Sequence, residues 1–315
     1  MNSTALDVLS QNLSGEIVLF PSTLLVISAA FQWGLAGGLA SLLMSRGWSP
    51  EVISFWRVLV GLGCMAIWLA VIRIQGQRFS FNRRLVFWSL VAGLGVAGNF
   101  TFYFISISEG SVAVAVTLMY SAPVFVYLVS FIAGVERPTP VKLVTIALVM
   151  GGIVLLTGIY RTEADAITTL GIVSGLLAGV SYALFIFGFK YAGKYGPAPS
   201  VLVIAFVTGT LVLLPLIDRG QAMTVTISAD VAWFILLGLL GAGLSFYCYI
   251  VGLRHTLPTT ASIVAMVEPV TAALFGLLLL SEALNLSQMA GMALILGAVT
   301  SLSILQSRPS LSGAP

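Results

Sequence analysis

"APVFVYLVSFIAGVE" (Ala122–Glu136) and "EPVTAALFGLLLLSE" (Glu268–Glu282) stand 146 positions apart and share one skeleton. Each holds a proline and, after twelve intervening residues, a glutamate, in a run otherwise as apolar as lipid. Both residue types are disfavoured inside a membrane helix, so apolar composition alone does not produce them twice at one offset. The same offset aligns residues 90–152 with 236–298 without a gap. It pairs Gly95 with Gly241, Phe100 with Phe246, Tyr103 with Tyr249, Ala115 with Ala261 and Gly151 with Gly297. Earlier in each half the best offset becomes 149, pairing Trp33 with Tyr182, Gly47 with Gly196 and Pro50 with Pro199. The chain is one unit written twice, with a three-residue change in a loop.

The rest of the composition says where that unit resides. Of 315 residues, 59% are hydrophobic and 8% charged, and the mean hydropathy is +1.08, far from a soluble domain. A helix needs about 20 apolar residues to cross a hydrocarbon core. Ten such runs are predicted, near 21–44, 51–74, 85–107, 111–133, 139–159, 169–190, 198–217, 230–252, 258–280 and 286–305. The predicted architecture is therefore an all-α integral membrane protein of ten transmembrane helices. An N-terminal tail (1–20), a first five-helix repeat (21–160), a second (168–306) and a C-terminal tail (307–315) divide it.

With both termini cytoplasmic, the inner segments carry ten basic residues, Arg73, Arg78, Arg83, Arg84, Arg137, Lys142, Lys190, Lys194, Arg254 and Arg308. The outer ones carry three, Arg46, Arg161 and Arg219, so charge favours that orientation. The net charge of +3 is spread over successive turns and not gathered on one face, which argues against a nucleic-acid partner. The first twenty residues hold Asp7 and Glu16 but no Lys or Arg, unlike a cleaved signal peptide, and a retained tail is expected. Cys64 and Cys248 fall inside predicted spans and lack histidine partners, so neither a disulfide framework nor a metal site is expected.

An odd number of crossings per unit sends the second copy into the membrane from the opposite side. The two halves are then related by a pseudo-two-fold axis in the membrane plane, the architecture that suits alternating access around a central site. At this point the chain resembles tandem EamA units of the drug/metabolite transporter superfamily over roughly residues 22–306. The resemblance is carried by "QWG" (Gln32–Gly34), Arg57 in the second span and the two Pro-x12-Glu patterns. Tyr182 replaces the Trp of "QWG" in the second unit. Within that superfamily the chain is most similar to YddG-type bacterial amino-acid and metabolite exporters. The resemblance implies a non-enzymatic exporter of the bacterial inner membrane that uses no cofactor.

Glu268 is the sharpest single feature, because its twin is Ala122 and the repeat does not require the acid. An ionisable group near the bilayer centre costs roughly 2.5–3.5 kcal/mol on insertion scales. It is expected to face a cavity, there to bind a substrate amine or carry a proton, or else to hydrogen-bond a neighbouring helix. Pro123 and Pro269 mark bends, read as hinges or as packing kinks. Asn99 and its twin Ser245 offer hydrogen bonds to substrate or to backbone. Arg57 either snorkels or bonds an adjacent helix, or holds a substrate carboxylate. Glu136 and Glu282 are read as caps of the next helices, and His255 as a solvated loop residue.

Trp33, Tyr182, Tyr103, Tyr249, Phe100 and Phe246 are paired by the repeat, with Trp56 and Tyr120 nearby. Symmetric aromatics of this kind line an apolar cavity, although any one of them is equally explained by packing. Phosphorylated cargo needs a cluster of deep Lys or Arg, and only Arg57 is available. The expected substrate-binding set is Trp33, Asn99, Tyr103, Tyr182, Ser245, Tyr249 and Glu268, with Pro123 and Pro269 as hinges. The expected partners are a small neutral or zwitterionic molecule, such as an amino acid or related metabolite, and the lipid bilayer. Proton-coupled multidrug or quaternary-amine efflux through Glu268 is the alternative, and a non-transporting receptor or intramembrane enzyme is a third reading. "GLGVAG" (Gly93–Gly98) and the Gly171, Gly175, Gly179 series read as close-packing stretches rather than as a nucleotide fingerprint.

Overall fold

A computed structural model describes residues 3–76, 82–162, 168–280 and 283–307, and among these the side chains from 22 to 305. Every regular element in the described residues is helical. In chain order they are α1 (Ser3–Ser45), α2 (Pro50–Ile74), α3 (Arg83–Ser108), α4 (Val112–Met119), α5 (Ala122–Ile132), α6 (Pro140–Thr157) and α7 (Thr169–Ala192). There follow α8 (Ala198–Leu213), α9 (Arg219–Thr224), α10 (Val231–Gly238), α11 (Ser245–Leu253), α12 (Pro258–Val264), α13 (Val267–Leu279) and α14 (Leu286–Ser307). Helix starts follow local chemistry. The side chains of Ser49, Asn82, Ser111 and Thr168 accept from backbone N–H groups three residues on. Prolines open α2, α6, α8 and α12, where no donor is needed.

Among the described residues, nine helices are long and apolar enough to cross a membrane. They account for nine of the ten expected runs. The seventh run is only partly helical: α8 has 16 residues, about 24 Å at 1.5 Å per residue. Pro215 lacks the N–H that would continue its ladder.

Three runs are not simple helices. The fourth is broken between α4 and α5, just before Pro123, and the ninth between α12 and α13, just before Pro269. At the second break Glu268 N–H donates to Ala265 O at 2.9 Å, so the interruption satisfies its own backbone. The eighth is continuous but passes through a π-helical segment at Leu239–Leu244. Its repeat partner in α3, the "GLGVAG" stretch, stays α-helical.

The duplication reappears in the packing. α3 lies along α7 and α8, while the equivalents α10, the π segment and α11 lie along α1 and α2. α4 and α5 pack on α7 as α13 packs on α1, and α6 pairs with its own counterpart α14. Each pairing thus recurs with the halves exchanged, as a two-fold requires. Small residues permit the closest approaches. A side chain at Gly95 would meet the Phe185 backbone of α7, and one at Gly175 would meet Leu118 of α4.

Candidate functional site

The halves enclose a cavity of about 400 Å³. Its walls come from the C-terminal part of α1 (Trp33 to Met44), the N-terminal part of α2 (Pro50 to Arg57) and the second half of α3. α4, the end of α6, Tyr182 and Phe185 of α7, Phe246 of α11 and α13 complete it. Because Met44, Pro50, Ile107 and Val112 rim it, the cavity opens toward the face that carries the α1–α2 and α3–α4 turns.

The floor is an aromatic plug. The Trp33 ring centroid lies 4.9 Å from both Phe246 and Tyr249, and Tyr182 lies 4.4 Å from Phe185. Phe189 and Phe206 each lie 5.5 Å from Phe246. All of these rings are buried, so the plug seals the cavity from the opposite face by apolar burial. Beyond it, Lys190 Nζ donates to the carbonyls of Leu253 (2.6 Å), Arg254 (3.0 Å) and Thr256 (2.8 Å), capping the end of α11. Glu136 pairs with Lys142 and accepts from Thr259 N–H at 3.0 Å and Ser130 Oγ at 3.3 Å. The turn between α11 and α12 is therefore clamped at both ends.

Glu268 sits at the broken helix, on the cavity wall. Gly34 of the "QWG" motif brings α1 against that break: a Cβ there would lie 2.5 Å from the Glu268 carbonyl oxygen. The hydroxyls of Tyr120 and Tyr182 face the Glu268 carboxyl. Glu268 Oε2, Tyr182 Oη and Trp33 Nε1 are nonetheless buried without a hydrogen-bond partner. Three unsatisfied polar atoms around one cavity are what a site waiting for a polar ligand presents.

Arg57 borders the same cavity from α2. Its Nε donates to Gly241 O at 2.9 Å, inside the π-helical segment, and its guanidinium lies 5.2 Å from the Phe100 ring. The side chain thus bonds a neighbouring helix and does not snorkel to the headgroups. Among the described residues no ion pair joins Arg57 to Glu268, although each lies within the other's field.

Of the residues expected at the site, Trp33, Asn99, Tyr103, Tyr182, Glu268 and Pro269 line the cavity. Asn99 also donates to Ala178 O at 3.0 Å, tying α3 to α7. Ser245 and Tyr249 do not line it. Both are fully buried with unpartnered hydroxyls, packed into or beside the plug. Pro123 lies at the start of α5, away from the wall. Glu136, expected to cap the next helix α6, instead accepts from Thr259 N–H in the first turn of α12 and pairs with Lys142 of α6, whereas Glu282 falls outside the described residues. Trp56 donates to Ala222 O at 3.0 Å and does not reach the cavity. Phe185 and Phe104 were missed. Phe185 was legible, since it follows Tyr182 by three residues on one helical face.

A two-repeat helical membrane protein with one central cavity is the class this geometry defines. The model of the EamA-like transporter family matches residues 21–158 and again 169–304. The chain belongs to that family. An "Uncharacterized transporter" of Archaeoglobus fulgidus is 30% identical over 198 residues, covering 62% of this chain and 69% of that protein. The "Uncharacterized inner membrane transporter YicL" of Salmonella typhimurium is 27% identical over 289 residues, covering 89% and 94%. YwfM of Bacillus subtilis, an "Uncharacterized transporter", is 23% identical over 278 residues, covering 87% and 90%. A solved crystal structure shares the fold with a TM-score of 0.69 at 17% identity, over 90% of this chain and 96% of that one.

Proposed function

We propose that this EamA-like membrane transporter is a ten-span, inverted-repeat carrier of the bacterial inner membrane with cytoplasmic termini, of the YddG type. It exports small neutral or zwitterionic organic solutes, amino acids with aromatic or hydrophobic side chains among them, by alternating access. The observation that carries this reading is the cavity itself: aromatic walls, few polar points, one open mouth and one plugged mouth. A volume of about 400 Å³ suits one small molecule. Under this reading the broken helices beside Pro123 and Pro269 are where the halves bend as the mouths exchange. The test is counterflow in liposomes of purified protein with labelled phenylalanine, tryptophan and threonine. Accumulation driven by unlabelled internal solute is expected, and no flux of any solute tried by folded protein overturns it.

Proton-coupled efflux of cationic drugs is the second reading, favoured by the unpartnered Glu268 Oε2. It requires Glu268→Gln to abolish transport driven by a pH gradient, whereas a facilitative carrier keeps exchange. Drug uptake that follows the pH gradient in wild-type vesicles and vanishes in the variant would replace the first reading with this one.

A further inference from the structure

We infer that Arg57 and Glu268 together form a two-point reader that selects cargo carrying a carboxylate and an ammonium in one small molecule. The inference rests on the transport reading and names the substrate class of the same cavity. It starts from the repeat. By the internal offsets, the twin of Arg57 is Phe206 and the twin of Glu268 is Ala122. Neither charge is needed to build a five-helix unit, since the other copy folds without it. Both departures nevertheless line one cavity, one on α2 and the other on α13.

The geometry keeps the two charges available. They form no ion pair with one another, and each is anchored from behind. Arg57 is held through Nε by Gly241 O, which leaves the terminal nitrogens of its planar fork to meet a carboxylate side-on. Glu268 is placed by the α12–α13 break with Tyr120 and Tyr182 facing it, and its Oε2 has no partner. An ammonium placed there satisfies Oε2 and finds the Tyr182 hydroxyl beside it. An unpaired buried charge is strongly disfavoured, so a zwitterion leaves both groups compensated while an amine or an acid leaves one uncompensated. The walls of Phe100, Tyr103 and Phe104 then hold the side chain.

The experiment uses the full chain and three probes of one shape: phenylalanine, phenethylamine without the carboxylate, and 3-phenylpropionate without the amine. Inhibition of labelled-phenylalanine counterflow is measured beside thermal stabilisation of the detergent-purified protein by each probe. In the wild type, phenylalanine is expected to act at roughly tenfold to hundredfold lower concentration than either analogue, the range of one charge-assisted hydrogen bond. Arg57→Gln is expected to erase the preference over phenethylamine and spare that over 3-phenylpropionate. Glu268→Gln is expected to do the reverse. Arg57→Lys, which keeps the charge, is expected to restore part of the ranking and so separates recognition from folding. Equal action of the three probes on the wild type overturns the inference, as do variants that lower flux without changing the ranking. A chain that moves none of the probes, yet is stabilised by phenylalanine selectively, overturns the transport reading and keeps the two-charge site.

Discussion

The two mouths of this molecule are built from equivalent positions of the two repeats and differ in what those positions hold. Around the open cavity stand Ala40, Ser41 and Arg57. The same positions in the second repeat hold Phe189, Lys190 and Phe206. Two buried aromatic rings against a methyl group and a guanidinium fill one end and leave the other hollow. Lys190 further clamps the α11–α12 turn, where its twin Ser41 only lines the cavity. Duplicated backbones thus enclose an asymmetric space because side-chain volume and charge, and not helix placement, decide which end is sealed.

The comparison breaks most severely at Glu136. Glu136→Ala leaves Lys142 buried without its partner and removes the acceptor of Thr259 N–H. Thermal unfolding in detergent is expected to show a loss of about 3–5 kcal/mol, the usual cost of orphaning a buried ion. Glu136→Gln, which keeps an acceptor, is expected to lose less.

A smaller change reverses the mouths. Lys190→Met removes a charged donor from three carbonyls, which lowers the preference for the plugged mouth by about 1.5–3 kcal/mol. Labelling of a Thr259→Cys reporter by a membrane-impermeant maleimide, in a background free of Cys64 and Cys248, is expected to rise at least tenfold. The converse sharpens the comparison. Ser41→Lys places an ammonium opposite the end of α3, and labelling of Met44→Cys at the open mouth is expected to fall by about two- to tenfold. Equal labelling in both variants would show that the plug, and not the clamp, holds the asymmetry.

The smallest effect is outside the membrane. Asp230 precedes α10 and receives hydrogen bonds from Trp48 Nε1 at 2.8 Å and from Arg46, tethering the α1–α2 turn. These bonds hold its carboxyl below the usual carboxylate range. A carboxylate depressed by folding stabilises at neutral pH, and its contribution fades as pH falls through the folded value. Asp230→Asn is expected to melt slightly below wild type near pH 7 and to converge with it in acid melting curves, where the wild-type carboxylate is protonated. The difference is expected to be slight, because the pair is open to solvent and screened.

Much of the fold was legible in the chain. Apolar runs of span length and a proline-glutamate skeleton at one offset dictated a duplicated helical membrane protein, because lipid forces the backbone to satisfy itself helix by helix. The interruptions near Pro123 and Pro269 follow from a missing N–H. The π segment opposite "GLGVAG" did not, since nothing in a run of Leu and Gly distinguishes a π from an α turn before Arg57 takes the Gly241 carbonyl. Trp33, Tyr103, Tyr182 and Glu268 were found by pairing and by cost.

Ser245 and Tyr249 were selected by the same pairing with Asn99 and Tyr103, yet they lie in the packed half. Residue identity and repeat position set which side chains point inward, a local property of helical period. Which of those inward positions meets empty space depends on how rings from several helices pack against one another. That packing joins residues more than two hundred positions apart, such as Trp33 and Phe246, and emerges only when the whole bundle is assembled.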